Sequence, residues 1–289
     1  MKVLIAVDSS ETSHVAEAAT ARPWPSGSKF CVMSVVNLPQ WEGMPALIED
    51  AKKAAQSAVK RATDKLREAG LSVSSEIPFG YPKETITRYA KNWGADLIMV
   101  GSHGNGVLTR FFLGSVAQAV LRTAPCSVEI VRTSPGSSST SHGMKILLAT
   151  DGSECSAKAV CSVATRPWPP KSEVRILSAV ELLTVDVPPF FAAVSVPSVV
   201  DEVIEIGRTR GAEATANARK ALGGSGLALS EAMPLGDPRG IILDEAKAWN
   251  ADLIVLGSHG RHGLERLVMG SVAETVSVYA HCSVEVVRG

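Results

Sequence analysis

The chain carries no surplus charge of either sign. Its 29 Lys and Arg balance 29 Asp and Glu over 289 residues, for a formal net charge of zero. A partner held by bulk charge is thereby disfavoured, nucleic acid first of all, because nucleic-acid binders show a basic excess or a basic face. A small anion held by a local site stays open. Cysteine is scarce and lacks a pairing pattern. Cys31, Cys126, Cys155, Cys161 and Cys282 are odd in number and form no CxxC, which weighs against a disulfide framework or a metal site. Cys155 and Cys161, six apart on a predicted helix, point to different faces. Buried, reduced thiols in a cytoplasmic protein are the expectation. Long apolar runs are missing too. The first ten residues, MKVLIAVDSS, hold an apolar run of five and no cleavage site, so they do not read as a secretion signal. The most apolar later stretch, residues 182–200, contains Asp186 and three prolines, which argues against a membrane span.

Catalytic signatures are equally thin. No GxxxxGK[ST] occurs, which excludes a Walker-type NTPase, and no GxGxxG occurs. Spacing reveals no Ser-His-Asp, Cys-His or paired-carboxylate arrangement. The HxGH and KMSKS signatures of nucleotidyl transferases are missing. The sequence therefore supports binding better than catalysis, and no catalytic residue or protein metal ligand is assigned.

What is present is a repeat, which should be sought early. Residues 92–132 and 248–288 align without a gap, with 23 of 41 positions identical. ARPWP at 21–25 matches TRPWP at 165–169, an offset of 144. PFGYP at 78–82 matches PLGDP at 234–238, an offset of 156. The second copy thus holds extra residues between Trp168 and Gly236, and the segment 182–200 is the natural place for them. Between the copies, TSPGSSSTSHG reads as a flexible linker. The predicted domains are residues 1–132 and 144–289, joined by linker 133–143. The length suits two domains.

Each copy alternates strands and helices. VLIAV opens the first as a buried strand, and a helix follows that Ser9 or Ser10 can cap. KFCVMSVVN, LSVSSEIPF, ADLIMVG and CSVEIVR read as further strands, with helices over roughly 49–69, over 83–93 and from Gly114. The second copy repeats this from KILLATD to CSVEVVR. Such alternation implies right-handed βαβ crossovers and a parallel sheet covered on both sides.

Ligands of such sheets bind beyond the carboxyl ends of the strands. Asp8 and Asp151 end the first strand of each copy, Gly101 and Gly257 end the fourth, and Gly114-Ser115 and Gly270-Ser271 open the next helix. The skeleton Gly-x2-Gly-x9-Gly-Ser occurs twice. Glycine at a helix start bares backbone N–H groups, which with the helix dipole attract phosphate. Ser115 or Ser271 adds a hydroxyl, and Gly104 and Gly260 let the intervening segment turn over a ligand. Glycine at strand ends and helix starts is also ordinary turn punctuation. His103 and His259 read more readily as loop residues facing solvent than as phosphate contacts. Arg110 and Arg266 lie where they can reach a phosphate or stay solvated. Trp24, Trp93, Trp168 and Trp249 read as packing residues.

This skeleton, following ADLIVLGSHG and joined to VDSS or TDGS at the end of strand one, resembles the universal stress protein family over essentially the whole chain, as two tandem domains of the ATP-binding type. The resemblance implies two Rossmann-like domains of the adenine nucleotide alpha hydrolase-like type, each a five-stranded parallel sheet of order 3-2-1-4-5 with helices on both faces. It implies one ATP in each, with Mg2+ accompanying the phosphates. In the first domain the phosphates would rest on Gly104, Gly114, Ser115 and Val116, and adenosine would lie near Asp8, Val35 and Val100, beside Gly101. In the second the matching positions are Gly260, Gly270, Ser271 and Val272, then Asp151, Ala179, Leu256 and Gly257.

The copies differ in ways that predict unequal affinities. Val35 stands where the second copy has Ala179, and Asn105-Gly106 stands where it has Arg261-His262. Family members pair through the last strand, which implies an intrachain pseudo-dimer with Val128–Val131 facing Val284–Val287. A homodimer of chains stays open, with the insertion near Phe190 and Phe191 as a surface for it or as a cover for the second pocket. The leading reading is a nucleotide-regulated stress-response protein that binds neither nucleic acid nor membrane. The alternatives are an interaction scaffold with vestigial sites and a slow ATPase or autokinase.

Overall fold

The computed structural model describes residues 1–8, 14–37, 44–102, 113–132, 143–181, 197–261 and 269–288. The first half runs β1 (Lys2–Ala6), α1 (His14–Thr20), β2 (Lys29–Met33), α2 (Pro45–Glu68), β3 (Ser72–Glu76), α3 (Pro82–Trp93), β4 (Leu97–Gly101), α4 (Ser115–Thr123) and β5 (Ser127–Val131). The second runs β6 (Lys145–Ala149), α5 (Glu154–Thr165), β7 (Glu173–Leu177), α6 (Pro197–Leu222), β8 (Ala228–Ala232), α7 (Pro238–Trp249), β9 (Leu253–Gly257), α8 (Ser271–Tyr279) and β10 (Ser283–Val287). Helix α2 begins at Pro45, four residues before the expected start. Proline suits a first helical turn, where its missing N–H costs nothing. The expected caps Ser9 and Ser10, the linker up to residue 142 and the insertion up to residue 196 lie outside the described residues. Among the described residues no helix is long and apolar enough to cross a membrane.

The strands form one ten-stranded sheet of order β3-β2-β1-β4-β5-β10-β9-β6-β7-β8. Pairing is parallel within each half and antiparallel at the seam between β5 and β10. The inner strands β1, β4, β6 and β9 are almost wholly buried, which is why their sequences are continuous apolar runs rather than alternating ones. The outer strands β3 and β8, SVSSE and ALSEA, are largely exposed and carry polar residues, as sheet edges do. On one face a single apolar core runs through both halves, from Leu4, Ile98 and Ile130 to Val284, Ile254 and Leu147. On the other face the core is split in two, around Ile5 and Leu97 in the first half and Leu148 and Leu253 in the second.

A charged cluster fills the gap between those two cores. Glu129 and Glu285 face each other across the seam, and both are buried. Arg22 donates to Glu129, and Arg166 donates to Glu285 at 2.8 Å. Burial pushes the Glu129 carboxyl up, Arg22 pulls it back, and Glu285 pushes it up further. The Arg22 guanidinium lies 4.6 Å from the Trp24 ring and 5.9 Å from the Trp168 ring, across the seam. Arg166 lies 5.0 Å from Trp168. The repeated Arg-Pro-Trp-Pro motif therefore supplies both the cation and the aromatic wall beside it. Cys31 and Cys282 are buried as expected, but Cys126 and Cys155 are half-buried and Cys161 is exposed on α5.

Candidate functional site

The strand order reverses between β1 and β4 and between β6 and β9, and the crevices of such sheets open there. In the second half, β6 delivers Thr150 and Asp151 to this point, and β9 delivers Gly257. The Ser258 amide donates to the Val287 carbonyl at 3.0 Å, extending the ladder one bond beyond β9. The Gly270 amide then donates to the Ser258 carbonyl at 2.9 Å, pinning the start of α8 to the end of β9. The first half repeats both bonds, Ser102 to Val131 at 3.0 Å and Gly114 to Ser102 at 2.8 Å. Neither Gly114 nor Gly270 supplies a side-chain cap. The N–H groups of the first turn have no partner within the helix and remain for a ligand or water.

Asp151 is the hub of the second crevice. Its Oδ1 accepts from the Ser153 amide at 3.0 Å, and its Oδ2 accepts from the Arg261 amide at 3.0 Å. Burial alone would raise this carboxyl, but hydrogen bonds from Ser153, Ser156 and Arg261 outweigh it and hold it below its ordinary value. Ser153 caps α5 by accepting from the Ser156 amide at 3.2 Å. Two glycines are needed for close approach. A Cβ on Gly257 would meet the Cys155 carbonyl carbon at 2.6 Å, against the start of α5. A Cβ on Gly260 would meet Asp151 Oδ2 at 2.9 Å.

The result is a cavity of about 300 Å3. It is lined by all eight second-copy residues singled out above: Asp151, Ala179, Leu256, Gly257, Gly260, Gly270, Ser271 and Val272. Leu177, Ala179, Ile242 and Leu256 supply apolar wall, while Asp151 and the first turn of α8 supply polar wall. A flat apolar group at one end and an anion at the other match that division. Sequence reasoning missed Thr150, Glu181, Pro238 and Ile242. Ile242 comes from α7, and only the fold brings it to β6.

His259 departs from the expectation of a solvent-facing ring. It is half-buried and lines the cavity, its Nδ1 lies 3.0 Å from Ser258 Oγ, and its Nε2 is buried without a hydrogen-bond partner. The chain folds back over the strand ends here, with Ser153 Oγ donating to the His259 carbonyl at 3.4 Å. Trp93 and Trp249 are packing residues, partly buried against the shared core.

In the first half Asp8 follows β1 and is exposed, Val35 follows β2, and Val100 and Gly101 close β4. Gly114, Ser115 and Val116 open α4, with Val116 packed on the core. Gly104, His103, Asn105, Gly106 and Arg110 lie outside the described residues, as do His262 and Arg266 in the second half.

The model of the universal stress protein family matches residues 1–132 and again 144–288. The chain belongs to the universal stress protein family. A universal stress protein of Mycolicibacterium smegmatis is 30% identical over 303 residues, covering 99% of this chain and 96% of that one. One from Mycobacterium tuberculosis is 27% identical over 258 residues, covering 83% of this chain and 77% of that one. The crystal structure of a universal stress protein from Archaeoglobus fulgidus is 20% identical and superposes with a TM-score of 0.66, covering 99% of this chain and 96% of that one. That likeness extends the fold of this universal stress protein to both halves together.

Proposed function

We propose that this universal stress protein binds one ATP in each half, 1–132 and 144–289, and that occupancy sets its conformation or choice of partner. One observation supports the reading: eight residues, taken from the repeated glycine skeleton and from the family resemblance, line one cavity. The adenine ring would lie against Ala179, Leu256 and Ile242, the ribose beside Asp151, and the phosphates over Gly260, Gly270, Ser271 and Val272. In the first half Val35, Val100, Asp8, Gly101, Gly104, Gly114, Ser115 and Val116 take the same parts. Among the described residues no group of three His, Cys, Asp or Glu is placed to hold a metal. A Mg2+ accompanying the ATP would be held chiefly by the phosphates and water, as this ion often is. Free cysteines throughout favour a reducing compartment, the cytoplasm.

The test is a count. The purified chain is denatured and released adenine nucleotide is quantified per chain, before and after loading with Mg-ATP. The same count is made for Gly114→Val and Gly270→Val separately. Two nucleotides falling to one in each variant is the expected result. No nucleotide after loading would remove the reading and leave an interaction scaffold in its place.

A further inference from the structure

The last strand of each half ends in an arginine, Arg132 after β5 and Arg288 after β10. Each reaches into the opposite half. Arg132 Nη2 donates to the carbonyls of Ser277 and Val278, at 2.6 and 3.0 Å. Both carbonyls belong to the last turn of α8. Arg288 Nη2 donates to the carbonyls of Leu121 and Arg122, at 2.5 and 3.2 Å, in the last turn of α4. These are carbonyls that the helices leave unpaired. In each helix the cap amide already takes the preceding carbonyl, Val276 for α8 and Val120 for α4. Each arginine's backbone is fixed across the seam as well. The Arg132 amide donates to Ser283 Oγ at 3.1 Å, and the Arg288 amide donates to Ser127 Oγ at 3.2 Å.

The helices so gripped are the two whose first turns open the crevices. Each helix is nine residues long, and the clamped carbonyls begin six residues after its start, about 9 Å along a rigid rod. A cation at a helix C-terminus also complements the helix dipole.

We propose that Arg132 and Arg288 are crossed positioning residues: each belongs to one half and sets the anion-facing helix of the other, so neither site is complete alone. The nucleotide part of this inference rests on the proposed function above; the crossed clamp does not. It carries a specific signature, because a change in the first half must be felt at the second site.

The test uses the full chain with Arg132→Met and Arg288→Met made separately. Amide hydrogen exchange in α4 and α8 is followed by NMR without ligand. Mg-ATP is then titrated while the amide shifts of Ser115 and Val116 report one site and those of Ser271 and Val272 the other. Arg132→Met is expected to speed exchange in α8 roughly tenfold, as loss of a charged hydrogen bond does, and to weaken ATP at the second site. Helix α4 and the first site stay as they were. Arg288→Met gives the mirror image, and Arg132→Lys, which keeps a cation, recovers part of the loss. Equal effects on both helices, effects confined to the arginine's own half, or none would overturn the proposal. Should Arg132→Met fail to fold, the smaller crossed effect in Arg132→Lys decides by the same criteria. Should the unaltered chain take up no ATP, the nucleotide reading fails, and the exchange pattern still decides the clamp.

Discussion

Gly260→Ala separates the site from the fold. The new Cβ would stand 2.9 Å from Asp151 Oδ2, where carbon and oxygen in ordinary contact need about 3.4 Å or more. The carboxylate is no loose end that can swing aside. Its two oxygens hold the Ser153 and Arg261 amides, each at 3.0 Å. Moving Oδ2 by about 0.5 Å stretches the Arg261 bond to the limit of a hydrogen bond. Hydrogen bonds to charged groups contribute about 1.5–3 kcal/mol. That loss falls on the folded-back segment and converts to about 10- to 150-fold in ATP affinity at the second site. Isothermal titration calorimetry is expected to show one unchanged site and one weakened site, with a melting temperature close to that of the unaltered chain because the segment releases locally while the fold beneath keeps its packing. The cause is isolated by a cycle with Asp151→Ala, which removes the atom that clashes. On that background Gly260→Ala should cost little. Two sites of unchanged affinity, or additive losses in the cycle, would refute the reasoning.

Gly257→Ala has the opposite character. Its Cβ meets backbone of Cys155 and Ser156 between 2.6 and 2.8 Å, so α5 must shift, at a cost of about 1–3 kcal/mol. Thermal unfolding should record a clear drop, and an unchanged midpoint would count against the packing described. Asp151, held below its ordinary pKa, gives a stabilisation fully present above the unfolded carboxylate value of about 4 and lost as pH falls through the lower folded value. The Ser153 and Arg261 amide shifts should therefore titrate below pH 4 or so; a midpoint above that value would contradict the assignment. Glu129→Lys together with Glu285→Lys would put four cations at the seam with Arg22 and Arg166. Small-angle scattering should then show the halves apart, and an unchanged profile would mean that the seam does not depend on this cluster.

The strands were legible because helices on both faces leave inner strands uniformly apolar, as VLIAV and ADLIVLG are. The glycine spacing was legible because it occurs twice. Other features were hidden for physical reasons. Ile242 and Pro238 reach the cavity from a helix more than 80 residues beyond Asp151, a proximity that only the crossover connections create. The burial of His259 depends on which way a loop folds. Glu129, set between Val128 and Ile130 in SVEIV, shows its role only once β10 is laid beside it. A signal was nonetheless there. Both copies place a glutamate mid-strand and an arginine before Pro-Trp-Pro, and a repeated charge in a repeated apolar context points to a partner.

The seam between β5 and β10 is closed within one chain, across the 11-residue segment 133–143. Short tethers hold their ends at millimolar effective concentration, so dilution does not bare these strand edges as it would for two separate copies. Tethering also frees the halves from identity. A substitution at Ala179 leaves Val35 as it is, so one half can be retuned while the other stays unchanged, and the two always occur in a fixed one-to-one ratio.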